Sequence, residues 1–482
     1  MQIQGPGMIL NRIRNVSPDA PRTGGQDLKQ TANGAPGVLL TNANVLDYLP
    51  PQMNAAPDPR VELADLRLQG GRIVERGRGL APRAGEDVRD LDGRMIMPGL
   101  INAHHHLYST LAPGMPPPAN TPRSFQDVLT EIWWKLDRAL DPEAIRMSAV
   151  SGAWDALRCG ATLIFDHHSS LTSVGGSLDL VEQGMRDAGV RGCLCYEVTD
   201  RGGPGSRDTC LEETRRYLRK TAAPVAGVPA GGVPWFKGLA GAHASFTLED
   251  GTLDSLAEIC TEFDTGVHIH LAEGSTDREI CKDRGWPDPL ERLDRHGLVR
   301  PRSLLAHGVD LTPLDLQTIE EKGAWLVHNG RSNMNNGVGR APVDRFPPRS
   351  CLGTDGLDGN MFGELRTTFY RGNEAGRGPL GFHGAERFWI GGYQLAREIF
   401  GEPFGSLDAG APADFLIGCG DQKQPLHRGN WLGLLLFGMQ PRLIQEVWVD
   451  GAPRYRRGDP APYDGKACRA AAKRIWDRMA NL

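Results

Sequence analysis

Between residues 98 and 400 one pattern repeats eight times: a short apolar run ending in polar residues, then a stretch with helical periodicity. The runs are GLINAHHH, ATLIFDHH, VRGCLCYEV, GLAGAHASF, TGVHIHLAE, SLLAHGVD, AWLVHNG and SCLGTD. Helical stretches such as DPEAIRMSAVSGAWDALRCG and LTPLDLQTIEEKG fall between them. Strands that alternate with helices pair in parallel, because each helix returns the chain to the edge where the last strand began. Eight such units in about 300 residues fit an α/β TIM barrel, a (β/α)8 fold. That fold places its chemistry at the C-terminal ends of the strands. The chain has only 13 histidines, yet six of the eight runs carry one near that end and the last run ends in Asp355.

Both ends of the chain have another texture. Residues 1–35 are rich in Gly, Pro, Asn and Thr and read as a flexible arm. Residues 36–97 and 401–465 are β-rich, with hairpin signals at Gly70-Gly71 and Asp450-Gly451. Because the termini of a domain often lie close together, the two segments are expected to build one small composite β-sandwich domain around the barrel, followed by a C-terminal helix over 466–482. The net charge of -5 with no basic block argues against a nucleic-acid partner. The longest apolar run, Trp431 to Met439, is far short of the roughly 20 residues of a membrane span. The first residues have no apolar signal core, and the nine cysteines are scattered, so a cytoplasmic chain with reduced thiols is expected.

The run His104-His105-His106 raises the question of which imidazoles act. In a strand, residues i and i+2 share a face and i+1 turns away. His104 and His106 therefore point together into the barrel mouth, and His105 packs behind. Alone, such a pair is a weak metal signal. Later runs add His268, His270, Glu273, His307 and Asp355. Three imidazoles and a carboxylate suit Zn²⁺, with Fe²⁺ the alternative, and an acid three residues beyond a ligand can serve as general base. His268 lies one pleat deeper than His270 and reads as a buried, hydrogen-bonded histidine. Asp166, His167 and His168 read as supports that orient ligands, and Trp133 and Trp134 as core or lid packing.

In this order, PGLINAHHH, HLAE, AHGVD, HNGRSN and LGTDG resemble the amidohydrolase superfamily, in its cytosine/guanine deaminase and chlorohydrolase branch. IWWKLDRALD, IFDHHSS, CYEVTDR and HASFTLED resemble more narrowly its SsnA aminohydrolases. The resemblance spans about residues 36 to 465. It implies one divalent metal ion held by His104, His106, His270 and Asp355, with Glu273 as the catalytic acid-base. It implies that His307 contacts the attacking water or the substrate, and that His243 contacts substrate. Tyr196, Arg331 and Asn333, at strand ends or just beyond, are further candidates for substrate binding. Relatives with two metals use a lysine near the end of strand four. Here the nearby lysine is Lys237, expected before that strand begins. Two features depart from the family. Gly330 stands where many relatives have proline, and the short link RAPVDRFPPRSC predicts a stub for the seventh helix.

These observations point to a metal-dependent hydrolase acting on non-peptide carbon-nitrogen bonds. The expected reaction is deamination of a purine- or pterin-like heterocycle, in a chain that pairs as a homodimer. The rivals are a ring-opening hydrolase of cyclic amides on the same site and a non-catalytic metal-binding subunit of a purine-metabolism complex.

Overall fold

The structure is a computed structural model that describes residues 37–48, 59–222, 232–374, 380–418 and 424–482. The expected arm over 1–35 lies outside the described residues. Eight parallel strand positions follow one another: Leu100–His105, Ala161–His168, Arg191–Tyr196, a divided fourth, Val267–Leu271, Leu304–His307, Trp325–His328 and Ser350–Leu352. The fourth breaks at Leu239. Phe236–Gly238 pairs with the third strand, and Ala240–Ala244 pairs with the fifth. Lys237 therefore lies inside the first segment rather than before the strand, on the side of the break away from His243.

The break divides the strands into a four-stranded and a five-stranded parallel sheet. They meet at two seams, each marked by one bridge: Val198 with Ala242, and His105 with Asp355. At the second seam the amides of Thr354 and Asp355 both donate to the His104 carbonyl, at 2.9 and 3.0 Å. This approach requires glycine at 353, where a Cβ would stand 2.6 Å from Asn329 Oδ1 and 2.7 Å from His104 Cβ.

Helices cover the outer faces, and their ends follow local chemistry. Pro142–Arg158 begins where the Asp141 carboxylate accepts from the Ala144 amide, with proline in its first turn. Pro313–Lys322 has a capping box formed by Thr312 and Asp315. Between the seventh and eighth strands the structure has the six-residue helix Gly330–Asn335 and one 3-10 turn, Val343–Arg345. The short link leaves no length for more.

Strands from both ends of the chain form a third, eight-stranded sheet. Its join is antiparallel: Phe415–Gly418 lies against Met95–Pro98, with Leu416 opposite Met97. Gly70 and Gly71 (φ +58° and +78°) and Asp450 and Gly451 (φ +58° and +71°) make the two-residue turns of its hairpins. Leu40, Val45, Leu66, Ile96, Phe415 and Trp448 are buried on one face of this sheet. The helix Gly465–Met479 buries Ala471 and Ile475, and its Arg474 reaches Asp141 and Glu143 at the start of Pro142–Arg158. Among the described residues no helix is long and apolar enough to cross a membrane.

One buried cation ties the terminal sheet to the third central strand. Arg191 is fully buried, with Nε 2.7 Å from Asp414 Oδ2 and an Nη 3.0 Å from Asp450 Oδ1. Removing one partner of such a group strands the others' charge in a low-dielectric interior. Arg191→Met is expected to destabilise the protein by about 3–5 kcal/mol, measured as a shift of the urea-unfolding midpoint. An unchanged midpoint would mean that water reaches the cluster.

Candidate metal centre and cleft

The groups expected at the mouth come together. Nε2 of His106 lies 3.0 Å from Asp355 Oδ1 and 3.1 Å from His270 Nε2, and His104 Nε2 lies 3.4 Å from the same Asp355 oxygen. Separations of about 3.4 Å are what four ligands at about 2.1 Å around a tetrahedral ion require. Donor atoms of His104, His270, His307 and Asp355 all lie within 4.8 Å of one another, so His307 adjoins the same space. A second grouping brings His106, His167, Glu197 and His270 equally close.

Tautomers tell what this space will accept. His106 Nδ1–H donates to the His167 carbonyl at 2.6 Å, and His270 Nδ1–H donates to the His243 carbonyl at 2.8 Å. His104 Nδ1 meets His268 Nε2 at 2.8 Å. With the Nδ1 protons of His106 and His270 committed outward, their Nε2 atoms turn inward, toward one another and toward a carboxylate. His104 Nε2 and His307 Nε2 are buried without a hydrogen-bond partner among the described residues. Facing lone pairs repel unless a cation lies between them. Burial opposes ionisation of Asp355, but the adjoining His104 and His106 rings hold its carboxyl well below the usual range. Burial likewise opposes charge on His106, but the Asp355 carboxylate raises its pKa to about 9. The donor set therefore fits a divalent cation.

His105 faces the other way, and its Nδ1–H donates to the Asp355 carbonyl at 2.6 Å. His268 supports His104 from below. His167 serves through its backbone carbonyl, and its Nε2–H is shared between the carbonyls of Ala242 and His268. Asp166 accepts from the Leu107 amide at 2.7 Å, fixing the chain just past His106.

Glu273 and His307 stand beside the donors, with His307 Nε2 3.6 Å from Glu273 Oε2. Burial raises the Glu273 pKa, so the carboxyl is poised to carry a proton. The residues that deliver these groups have unusual backbones. Ala272, His307 and Asp355 all have positive φ, at +48°, +81° and +55°. Such conformations strain residues with a Cβ and turn each side chain off the end of its strand.

Above the donors opens a cleft lined by His106, His270, Glu273 and Asp355 on one side and by Phe125, Leu129, Trp133, Trp134 and Phe246 on another. Trp133 and Trp134 thus wall the mouth while packing against buried residues such as Leu129 and Phe246. They reach it because the helix carrying them includes a wider-turned segment, Leu129–Trp133. His243 also lines the cleft, with Nδ1 2.8 Å from Thr247 Oγ1.

Three other expected substrate contacts lie elsewhere. Tyr196 has the opposite parity to Glu197, is fully buried in the core, and its hydroxyl accepts from the Ser170 amide at 3.3 Å. Arg331 turns outward, with Nε 2.7 Å from Glu364 Oε1 and an Nη 2.5 Å from Asp358 Oδ1. Asn333 is buried beneath the cleft, and its Oδ1 accepts from His307 Nδ1–H at 2.8 Å. In their place the cleft gains polar groups that sequence reasoning missed: Asp137, Asp277 and Asn336. An Arg201 guanidinium nitrogen lies 2.9 Å from Asp137 and 3.1 Å from Glu197. Burial raises Asp137 to about 6. Burial also opposes the Glu197 charge, but His243, His167 and Arg201 together hold its carboxyl well below the usual range.

Comparison with known proteins agrees with this geometry. Residues 95–452 match the amidohydrolase family. The chain is 26% identical over 396 residues to a 5-methylthioadenosine/S-adenosylhomocysteine deaminase of Symbiobacterium thermophilum, covering 80% of this chain and 87% of that protein. It is 28% identical over 389 residues to a 5'-deoxyadenosine deaminase of Methanoregula boonei, covering 79% and 81%. Its fold is similar to that of a zinc-bound adenosine deaminase from Xanthomonas campestris, with a TM-score of 0.75 at 22% identity, covering 92% of this chain and 99% of the other.

Proposed function

The chain belongs to the amidohydrolase family, and on that premise we propose that it is a hydrolytic deaminase of a purine-like heterocycle, working with one zinc ion per chain held by His104, His106, His270 and Asp355. The observation that carries the reading is Glu273 beside His307 at the floor of an aromatic cleft, next to converging imidazole Nε2 atoms. A divalent ion bound there would lower the pKa of a coordinated water toward neutrality and so supply the nucleophile.

The chain's own residues do the rest. As the water oxygen bonds to the ring carbon that bears the amino group, Glu273 accepts the proton and passes it to the adjacent ring nitrogen. The proton remaining on the added oxygen then passes to the amino nitrogen, the carbon-nitrogen bond breaks, and ammonia leaves a carbonyl behind. His307 and Asp355 orient the water, and His243 holds the ring. The flat indoles of Trp133 and Trp134 suit an aromatic heterocycle. Asp137, fixed by Arg201, offers acceptors to hydroxyl groups on a substituent. The deaminase relatives named for adenosine-derived compounds support a nucleoside-like substrate.

The same reading takes the two central sheets as one distorted (β/α)8 barrel joined at the His105–Asp355 and Val198–Ala242 seams. It takes the terminal strands as one composite β-domain. The SsnA-like subgroup, the homodimer and the cytoplasmic setting belong to the reading through sequence resemblance and composition.

The test incubates zinc-loaded protein with adenosine-type nucleosides, amino-purines, amino-pterins and their cyclic-amide counterparts. Ammonia appearing in step with substrate loss is the expected result. Substrates that gain a carboxylate without releasing ammonia would replace deamination with ring opening. Metal binding without turnover on either class would leave the non-catalytic subunit.

A further inference from the structure

Glu273, His307 and Asp355 come from the ends of three different strands, yet each is held by the same short piece of chain. Ser332 Oγ donates to Asp355 Oδ2. Asn333 Oδ1 accepts from His307 Nδ1–H at 2.8 Å. Asn336 Nδ2 donates to Glu273 Oε1 at 3.1 Å and also approaches Ser332 Oγ at 3.4 Å. Ser332 and Asn333 lie on the helix Gly330–Asn335, and Asn336 is its C-cap. Residues four apart on a helix share a face, so Ser332 and Asn336 project together, with Asn333 one step around. Ser332 and Asn333 are buried, and Asn336 is half-buried at the cleft.

We propose that this helix is the positioning element of the acid-base centre, with Ser332, Asn333 and Asn336 as positioning residues. The inference rests on the deaminase reading for its activity arm and on the donor geometry alone for its metal arm. Each bond has a distinct chemical effect. An Asp355 carboxylate whose Oδ2 is occupied by the Ser332 hydroxyl presents Oδ1 alone to His104, His106 and a metal ion. Acceptance by Asn333 commits the His307 proton to Nδ1 and leaves Nε2 as a lone pair facing Glu273 and the water. The amide of Asn336 holds Glu273 Oε1, so that Oε2 is the oxygen that exchanges protons.

The helix has a fixed reference of its own. The Arg331 amide donates to Glu364 Oε2 at 3.3 Å, its Nε donates to Glu364 Oε1, and its outer Nη reaches Asp358. Glu364 is fully buried on the helix Met361–Glu374, whereas Asp358, just before that helix, is exposed. Arg331, expected from sequence to touch substrate, instead pins the element that aims the groups which do. Because the reacting groups sit at strained strand ends, a shared rigid partner is what fixes their mutual distances.

The test uses the full-length protein and two readouts. The first is metal affinity, measured by zinc competition with a chromophoric chelator and by the visible spectrum of the Co²⁺-loaded protein. Ser332→Ala is expected to weaken affinity about 10–100-fold and shift the cobalt bands, with Ser332→Thr restoring both. The second readout is steady-state kinetics. Asn333→Leu is expected to lower kcat about 10–100-fold with KM and metal content held, while Asn333→Asp, which keeps an acceptor for His307, recovers most of the loss. Should Asn333→Leu not fold, Asn333→Ser, too short to reach Nδ1, makes the same comparison. Ser332→Ala with unchanged affinity, or Asn333→Asp as impaired as Asn333→Leu, would overturn the proposal. Wild-type protein that binds zinc but releases no ammonia would overturn the deaminase reading instead, and the affinity arm would still decide the positioning role.

Discussion

His106→Ala is expected to lose bound metal and turnover together, while His105→Ala keeps the metal. The neighbours differ by one residue and by the side of the strand they face. His106 Nε2 is 3.0 Å from Asp355 Oδ1 and 3.1 Å from His270 Nε2, at the centre of the donor group. His105 has its Nδ1–H on the Asp355 carbonyl and points away from the cleft. Removing a residue that merely supports a ligand typically costs 10–100-fold, so removing a ligand should cost more than about 100-fold in affinity. Elemental analysis after dialysis checks this directly, since it needs no substrate. His307→Gln provides a second contrast. His307 adjoins both the donors and Glu273, and a metal content that stays normal in His307→Gln keeps it out of the ligand set. If His106→Ala retains a full complement of metal while His307→Gln loses it, the two histidines exchange roles.

Glu273→Gln is expected to lower kcat by about 10²–10⁴-fold, the usual worth of a positioned general base, with metal content unchanged. Glutamine keeps the size of the side chain and an oxygen that can still accept from Asn336 Nδ2. It removes only the capacity to take and return a proton. Burial raises the Glu273 pKa, which brings the carboxyl nearer to the operating pH, where proton exchange is most efficient. KM is expected to change little, because the proposed reading assigns the hold on the ring to the aromatic wall and His243 rather than to this oxygen. Turnover near the wild-type rate would remove Glu273 from the mechanism. Loss of metal in Glu273→Gln would make it a ligand.

The central strands were legible as short apolar runs alternating with helical stretches, and the full donor set was legible only through the family resemblance. Alternation placed His104 and His106 together and His105 behind, and the pleat separated His270 from His268. The same rule, applied to the third strand, would have admitted only one of Tyr196 and Glu197 to the mouth, and the structure gives that place to Glu197. Asp137 was hidden for another reason. Its partner Arg201 is far along the chain, and the wider-turned segment that brings the preceding helix over the cleft leaves no mark in a 3.6-residue pattern. Arg331 and Asn333 were seen to be near the site but not which way they faced. A six-residue helix shows less than two turns of periodicity, too little to assign inner and outer faces from sequence. The break at Leu239 was likewise invisible, since both halves of the fourth strand read as one apolar run.

The join between Met95–Pro98 and Phe415–Gly418 also bears on how this protein is born. A ribosome that has just made Met95–Pro98 must add roughly 300 more residues before the partner strand exists, a delay of roughly 15–60 s at about 5–20 residues per second. Through that interval Ile96 and Met97, fully buried in the finished protein, wait on an open strand edge, the kind of surface other nascent chains can pair with. The alternating strands and helices that follow can organise as they emerge, whereas the terminal sheet is completed last. Synthesis rate and chaperone supply should therefore govern the yield of native protein through this one seam.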